Sequence, residues 1–128
     1  MANQQKNSLG ELEAEIMEAV WKQGEVTVRS VLNQLHKKKK IAYTTVMTIM
    51  GRLYEKGLLR RRVEAGGAYI YFPGETREIF FSRLSGNLIT KLLQEYGDLA
   101  VAQFAAILNG DEFKQSIKWR KKLRQVIK

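Results

Sequence analysis

Residues 41–61 constrain the fold of this chain more than any other stretch of its sequence, which there reads IAYTTVMTIMGRLYEKGLLRR. The i, i+3, i+4, i+7 spacing of its apolar residues predicts a helix with a core-facing stripe of Val46, Ile49, Met50 and Leu53. The opposite side is lightly polar and free of carboxylates until Glu55, and it carries Tyr43, Thr44, Met47, Thr48, Gly51 and Arg52. Four lysines (37–40) precede this helix and three arginines (60–62) follow it. Such a face between two cationic clusters is suited to insertion into a nucleic-acid groove.

The composition agrees with a polyanionic partner. The chain has 128 residues and a net charge of +9, which favours nucleic acid without requiring it, since many small proteins are basic. Zero cysteines exclude disulfides and thiolate chemistry, and we predict no metal and no cofactor. The N-terminus lacks the apolar core of a secretory signal, and no run is long enough to span a membrane. We therefore expect a cytoplasmic protein without membrane insertion.

Two helices are predicted before the central stretch. Ser8 and Glu11 fit a capping box that begins the first helix, whose early turns are acidic and whose end is marked by Gly24. Thr27 is suited to cap the second helix, which has an inward stripe of Val28, Val31, Leu32 and Leu35. A short second helix, a polar turn and the central helix together form a helix-turn-helix, in which the later helix reads the groove.

A β-hairpin is predicted directly after the central helix. Gly57 is placed to end that helix in the left-handed conformation, and two β-prone runs then flank Gly66 and Gly67. Alternation places Tyr69 and Tyr71 on one face of the second strand. The fold class that follows is mainly α with a small β-hairpin: a winged helix-turn-helix domain over residues 1–73 and a helical region over residues 74–128.

The C-terminal region reads as three helices with more apolar surface than so short a tail buries on itself. The second is residues 98–108, and the third begins at Asp111 and runs to the C-terminus. The unburied apolar surface predicts a homodimer with interlocking tails. The candidate dimerisation residues are Phe80, Leu84, Leu88, Leu92, Phe104, Leu108, Phe113 and Ile117.

The candidate DNA-contacting residues each have a second interpretation. Lys38, Lys39 and Lys40 contact phosphates or form a solvated loop, and Arg60 and Arg62 contact phosphates unless one arginine of the strand pairs with a glutamate. Threonine hydroxyls in helices also bond to the preceding turn, and Thr45 is suited to cap the helix. Arg52 binds guanine bidentately or holds a phosphate. Gly51 permits close packing or close approach of DNA.

Catalysis is not predicted. The only histidine, His36, lies beside four lysines as a surface residue, and the sequence has no phosphate loop, ligand cluster or nucleophile constellation. Besides a DNA-binding protein, two interpretations stay open: a winged-helix protein-interaction module without a DNA target, and a winged-helix regulator that responds to a small ligand.

The run AYTTVMTIMGRLYEKGLLRR, with LGELEAEIMEAVWKQGEVTVRSVLNQL before it and GGAYIYFP after it, resembles the penicillinase/methicillin-resistance repressor family (BlaI/MecI/CopY type). The resemblance implies a bacterial, homodimeric winged-helix repressor that binds palindromic operators and acts in antibiotic resistance. It places the wing at the DNA backbone and the following residues at the DNA: Tyr43, Thr44, Thr45, Met47, Thr48 and Arg52.

The resemblance also implies a route of induction. In many members, a membrane-bound β-lactam-sensing peptidase triggers cleavage of the dimerisation domain at an Asn-Phe bond. The matching position here is Gln103-Phe104, where Gln replaces Asn. The cysteine cluster of the copper-responsive branch is missing, which argues against copper sensing.

Overall fold

The computed structural model of the protein describes residues 9–127, which form helices and one antiparallel hairpin. In chain order, the elements are α1 (Glu11–Gln23), α2 (Val28–Leu35), α3 (Tyr43–Glu55), β1 (Leu59–Val63), β2 (Tyr69–Pro73), α4 (Arg77–Tyr96), α5 (Asp98–Leu108), α6 (Asp111–Gln115) and α7 (Ile117–Val126). The order of elements from α1 to α5 is the predicted one, and the winged-helix fold class is confirmed.

The first helix begins later than the predicted cap. Ser8 lies outside the described residues, and Gly10 occupies the N-cap position of α1. The Glu13 carboxylate accepts a hydrogen bond from the Gly10 N–H at 3.4 Å, which satisfies one free donor of the helix start. At the other end Gly24 has φ +87°, in agreement with its predicted role as the helix stop.

The second helix is capped as predicted. The Thr27 hydroxyl accepts the Ser30 N–H at 3.0 Å, and the Ser30 hydroxyl accepts the Thr27 N–H at 3.0 Å. These reciprocal bonds satisfy two donors that the helix leaves free. The predicted inward stripe of α2 is buried as well.

Helix α3 starts at Tyr43 with Ala42 as its N-cap, and no side chain caps it. Thr45 therefore lies inside the first turn, where its N–H bonds to the Ala42 carbonyl at 3.1 Å, and the capping role considered for Thr45 is wrong. The C-terminus follows the prediction: Gly57 has φ +82°, and the Leu58 N–H reaches back to the Leu53 carbonyl at 2.9 Å. This bond pattern ends the helix and turns the chain directly into β1.

The predicted hairpin forms with Arg61 opposite Tyr71 and Val63 opposite Tyr69. Gly66 and Gly67 both have positive φ at its tip. Val26 adds a single bridge to the outer side of β2 through two backbone hydrogen bonds with Tyr71, at 2.9 and 2.8 Å. The link between α1 and α2 therefore holds the base of the wing.

The apolar core of the N-terminal part lies among α1, α2, α3 and the hairpin. Its largest fully buried side chains are Ile16, Met17, Met50, Leu53, Leu59, Val20, Val31 and Val46. Three of the four predicted inward residues of α3 are among them, and the fourth, Ile49, is partly buried against the same cluster. Because the core takes one complete side of α3, the opposite side is left to solvent.

The described residues divide into two compact units, one up to Ser85 and one from Gly86, whereas the sequence predicted a boundary at 73/74. The difference has a physical cause: the start of α4 packs on α1. The Trp21 ring lies 5.5 Å from Phe80 and 5.6 Å from Phe81, and its indole N–H donates to the Glu75 carbonyl at 3.1 Å. The residues between Pro73 and Phe81 therefore pack within the first unit.

In the second unit, the predicted last helix is interrupted at Ser116, whose extended backbone (φ −85°, ψ 101°) separates α6 from α7. The Ser116 hydroxyl then caps α7 by accepting the Trp119 N–H at 3.1 Å. Within α5, α6 and α7 no residue is buried, and large apolar side chains such as Leu99 and Ile117 are more than 70% exposed. No helix in residues 9–127 is long and apolar enough to cross a membrane.

Candidate nucleic-acid interface

The solvent side of α3 carries the residues predicted to contact DNA, and we call it the reading face. It consists of Tyr43, Thr44, Thr45, Met47, Thr48 and Arg52, all of which are exposed. Tyr43 and Met47 keep 40% and 45% of their surface open, although both are large apolar groups. Both side chains are therefore accessible to a partner on the side of α3 that faces away from the core.

Arg29 joins the reading face from α2, which sequence reasoning did not anticipate. Its guanidinium lies 4.8 Å from the centroid of the Tyr43 ring, at the start of α3. No local pattern reports this contact, because it depends on the angle between the two helices. The pair places a positive charge at the helix end that enters first in a helix-turn-helix.

The lysine loop (residues 37–40) leads into the reading face and is entirely exposed. His36 braces it, with Nε2 2.8 Å from the Ile41 carbonyl oxygen at the far end of the loop. Lys39 differs from its neighbours because its Nζ lies 2.9 Å from Glu15 on α1. That hydrogen bond raises the pKa of the Lys39 ammonium. In the part of the chain that the structure describes, Lys38 and Lys40 have no carboxylate partner, so their charge is open to phosphates.

The three arginines of β1 have three different surroundings. Arg62 donates to both oxygens of Glu25 at 2.9 and 2.8 Å and also reaches Glu64 at 3.2 Å. The predicted phosphate contact of Arg62 therefore competes with two carboxylates, and Arg62 is the member of the cluster that pairs with glutamate. Within residues 9–127, the guanidinium of Arg60 has no carboxylate partner and lies 5.8 Å from the ring centroid of Phe72.

The contact between Glu25 and Arg62 shifts the pKa of both groups. The hydrogen bond and charge of Arg62 lower the pKa of the Glu25 carboxyl, and the Glu25 hydrogen bond raises the pKa of the Arg62 guanidinium. Glu25 is thus ionised through the neutral range and holds Arg62 as a partner. Among the three arginines of β1, Arg60 alone has neither a carboxylate nor a hydroxyl partner within residues 9–127.

Arg52 and Gly51 lie next to each other near the C-terminal end of the reading face. Arg52 is exposed, and no carboxylate in residues 9–127 pairs with it. Apart from the neighbouring backbone of α3 itself, no heavy atom of residues 9–127 lies within 4 Å of the position that a Cβ would take on Gly51. Close packing against other parts of residues 9–127 therefore does not account for this glycine, and the close approach of DNA stays a prediction.

The predicted dimerisation residues are not equivalent. Phe80 is 4% exposed and packs on Trp21, so its ring is already covered inside one chain and offers no face to a second copy. Leu84, Phe104 and Phe113 are partly buried. The others are exposed: Leu88, Leu92, Leu108 and Ile117. At the candidate cleavage position in the middle of α5, Gln103 is exposed and Phe104 is partly covered.

The sequence pattern of the penicillinase repressor family matches residues 9–128, almost the whole chain. The chain belongs to the penicillinase repressor family. It is 33% identical over 100 residues to the transcriptional regulator BlaI of Mycobacterium tuberculosis, in strains CDC 1551 / Oshkosh and H37Rv alike. That match covers 77% of this repressor and 69% of the relative.

Two solved structures are also similar to the repressor. One is the monomeric form of Bacillus licheniformis BlaI in complex with the blaP half-operator, at 25% identity and a TM-score of 0.48, covering 56% of the repressor and 85% of that chain. The other is a MarR family protein from Bacillus stearothermophilus, at 17% identity and a TM-score of 0.46, covering 91% of the repressor and 74% of that chain.

Family membership confirms two predictions made from the sequence. The repressor is a DNA-binding transcriptional regulator, and its relatives are regulators rather than enzymes. The residues that carried the resemblance, from the capped helices through the wing, are those that build the first compact unit and expose the reading face.

Proposed function

We propose that the repressor binds a pseudo-palindromic operator as a homodimer, with one reading face in the major groove of each half-site. The observation that supports this most is the division of α3 into two sides. Val46, Met50 and Leu53 are fully buried on one side, and the exposed reading face lies on the other. Arg60 and the lysine loop flank that face with the cations needed to grip the backbone on either side of a groove.

The unburied helices of the second unit support the dimer. Apolar side chains along α5 and α7 are left in solvent by a single chain, and covering them by a second copy removes that surface from water. A two-fold dimer then presents two identical reading faces and matches an inverted repeat in the DNA.

Selection from a random duplex pool tests this proposal and identifies the operator sequence at the same time. We expect the full-length protein to enrich two inverted half-sites and to bind them as two chains per duplex in sedimentation analysis. Scrambling one half-site, with the other kept intact, should weaken binding strongly, because the second contact loses its high effective concentration. Enrichment of a single asymmetric site by one chain would overturn the proposal.

We propose further that the controlled genes belong to the response to β-lactam or other cell-wall antibiotics, and that proteolysis at Gln103-Phe104 relieves repression. The bond lies in the middle of α5, between Gly97 and the Asn109-Gly110 stop, so one cut divides an exposed apolar helix of the tail. A membrane-bound sensor peptidase is the partner that this route requires. Loss of the dimer would then cause dissociation from the operator. In a dimer, binding of one half-site holds the second DNA-binding unit close to the other half-site, and a monomer lacks this advantage.

Intact-mass measurement of the repressor from antibiotic-treated cells tests this route. We expect fragments ending at Gln103, and we expect a Q103N variant, which restores an Asn-Phe bond, to be cut at least as fast. A Gln115→Asn variant outside α5 serves as the matched control. Full-length protein alone in cells whose target genes are induced would contradict the cleavage route and leave operator binding untouched.

A further inference from the structure

Arg61 lies between two aromatic rings that belong to different parts of the interface. Its guanidinium carbon is 3.8 Å from the centroid of Tyr54 and 4.1 Å from the centroid of Tyr69. Its Nη1 also donates to the Tyr71 hydroxyl at 3.4 Å. We call this group, consisting of Arg61, Tyr54, Tyr69 and Tyr71, the arginine clamp. A planar guanidinium is able to stack on two ring faces at once and still donate from its edge, which an ammonium is not.

The clamp joins the reading helix to the wing. Tyr54 comes from the last turn of α3, Arg61 from the middle of β1, and the other two tyrosines from β2. Tyr71 is a fixed anchor, because it is 3% exposed and its backbone bonds in both directions to Val26. The hydrogen bond to Tyr71 raises the pKa of the Arg61 guanidinium, so the charge needed for stacking is firmly held.

Only a short turn connects α3 to β1 otherwise, through Lys56, the left-handed Gly57 and Leu58. A turn built on glycine does not by itself fix the direction of the departing strand, which depends on further contacts. The Val26–Tyr71 backbone bridge holds the hairpin to the link between α1 and α2, whereas the clamp holds it to α3. The core fixes the base of that strand at Leu59, and the clamp is the next contact outward along the hairpin.

We propose that Arg61 is a positioning residue for DNA binding: it fixes the direction of the wing relative to α3 and does not contact phosphate. This inference rests on the proposed function, since it requires that the reading face and the wing meet DNA together. The neighbouring arginines make the contrast testable. Arg60 lies on the same strand with an exposed charge, and its loss removes a phosphate contact.

Salt titration separates the two roles. A lost phosphate contact reduces the slope of log affinity against log salt by about 0.9, whereas a lost positioning residue weakens binding and leaves the slope unchanged. We expect Arg61→Gln to bind the duplex selected by the wild-type protein about three- to tenfold more weakly, the range of a lost cation–π contact. We expect the wild-type slope in R61Q and a reduced slope in the control R60Q.

A second variant tests the clamp from the other side. Tyr54→Leu removes the stacking ring from α3 and keeps an apolar side chain there, and Tyr54→Phe keeps the ring. We expect Y54L to weaken binding as R61Q does, the double variant to be no weaker than either single one, and Y54F to retain wild-type affinity. In these variants, non-specific binding to a random duplex should fall less than binding to the selected duplex. A wing that points in the wrong direction disturbs base contacts more than contacts with the DNA backbone.

NMR spectra of the protein without DNA test the clamp directly, even if a variant folds poorly or no operator is selected. In the wild type, the stacked rings should shift the Arg61 side-chain resonances upfield; Y54L should reduce that shift to the part contributed by Tyr69, and Y54F should preserve it. Thermal unfolding of each variant controls for loss of fold. A slope loss in R61Q equal to that of R60Q, additive losses in the double variant, or unshifted Arg61 resonances would each overturn the proposal. None of these outcomes bears on whether the protein dimerises on an inverted repeat.

Discussion

Glu25 and Arg62 are 37 residues apart in the chain, yet two hydrogen bonds of 2.8 and 2.9 Å join their side chains. The pair connects the link between α1 and α2 to the first strand of the wing. It pairs one of the three β1 arginines with a carboxylate on the surface that we propose to contact DNA. Since both groups are well exposed, their pairing adds orientation more than stability.

The Glu25–Arg62 pair makes stability depend on pH at the acidic end. Arg62 lowers the folded-state pKa of Glu25 below its ordinary value of 4.5, so the folded state favours the ionised carboxylate. This contribution is present above that ordinary value and is lost as pH falls through the lowered folded-state pKa. We expect wild-type protein to lose more stability than E25Q on acidification below about pH 4.5, measured by urea unfolding.

Glu55→Gln is the matched control for this prediction, because no cation within residues 9–127 pairs with Glu55. It should follow the wild-type pH profile. Parallel profiles for the wild type and E25Q would show that the ion pair contributes nothing to folding in solution.

The same pairing predicts unequal effects for two arginines on one strand. Arg60→Gln should reduce the salt slope of DNA binding by about 0.9, the value for one phosphate contact, and Arg62→Gln should reduce it by less. The cause is that Arg62 has to leave two carboxylates before it reaches a phosphate. Fluorescence anisotropy with one labelled duplex over a salt series measures both slopes. Equal reductions would mean that Glu25 releases Arg62 on binding.

Local patterns predicted much of the fold and of the site. Helical periodicity predicted that Val46, Met50 and Leu53 are buried. The residues on the opposite side of α3, which form the reading face, were then predicted to be exposed. Glycines with positive φ were recognisable at Gly57 and at the hairpin tip. Each of these signals lies within a few residues of sequence.

Local sequence patterns could not predict contacts between residues that are far apart in the chain. The sequence allowed one arginine of β1 to pair with a glutamate, and only the fold identified Arg62 with Glu25. The position of Arg29 over Tyr43 and of Arg61 between two tyrosines depends on angles between elements. Phe80 fits the apolar stripe of α4 as well as Leu92 does, and only the packing of Trp21 on Phe80 shows that Phe80 is buried whereas Leu92 is exposed.

Gly51 is expected to be a DNA-approach position. Gly51→Ala should stabilise the protein by roughly 1 kcal/mol, because alanine is the better helix former and the surrounding space is open. The same methyl should weaken DNA binding by obstructing the groove. Gly86→Ala is the matched control, since Gly86 also lies within a helix with open space around it. G86A should be stabilised similarly without loss of DNA affinity; unchanged binding by G51A would remove the glycine from the interface.

Arg52 is the residue of the reading face best suited to read guanine. We expect Arg52→Ala to weaken binding to the selected duplex and to relax discrimination at one base pair by about 1–3 kcal/mol. Lys56→Ala is the control, because Lys56 lies on the following turn and pairs with Glu13 at 2.9 Å. Competition binding against duplexes that carry each of the four base pairs at that position measures the change. A uniform loss across all four duplexes would identify Arg52 as a phosphate contact.

Phe80 and Leu92 lie on the same helix, but their substitution by alanine should affect different properties: folding stability for Phe80 and self-association for Leu92. Phe80→Ala removes a ring that is 4% exposed and packs on Trp21, and it should lower the free energy of unfolding by about 3–5 kcal/mol at any protein concentration. Leu92 is 46% exposed in a single chain. Its replacement by alanine should weaken self-association and make operator binding more dependent on protein concentration. Sedimentation equilibrium and urea unfolding at two protein concentrations distinguish the two effects. If Leu92→Ala left the association constant unchanged, this part of α4 would lie outside the dimer contact.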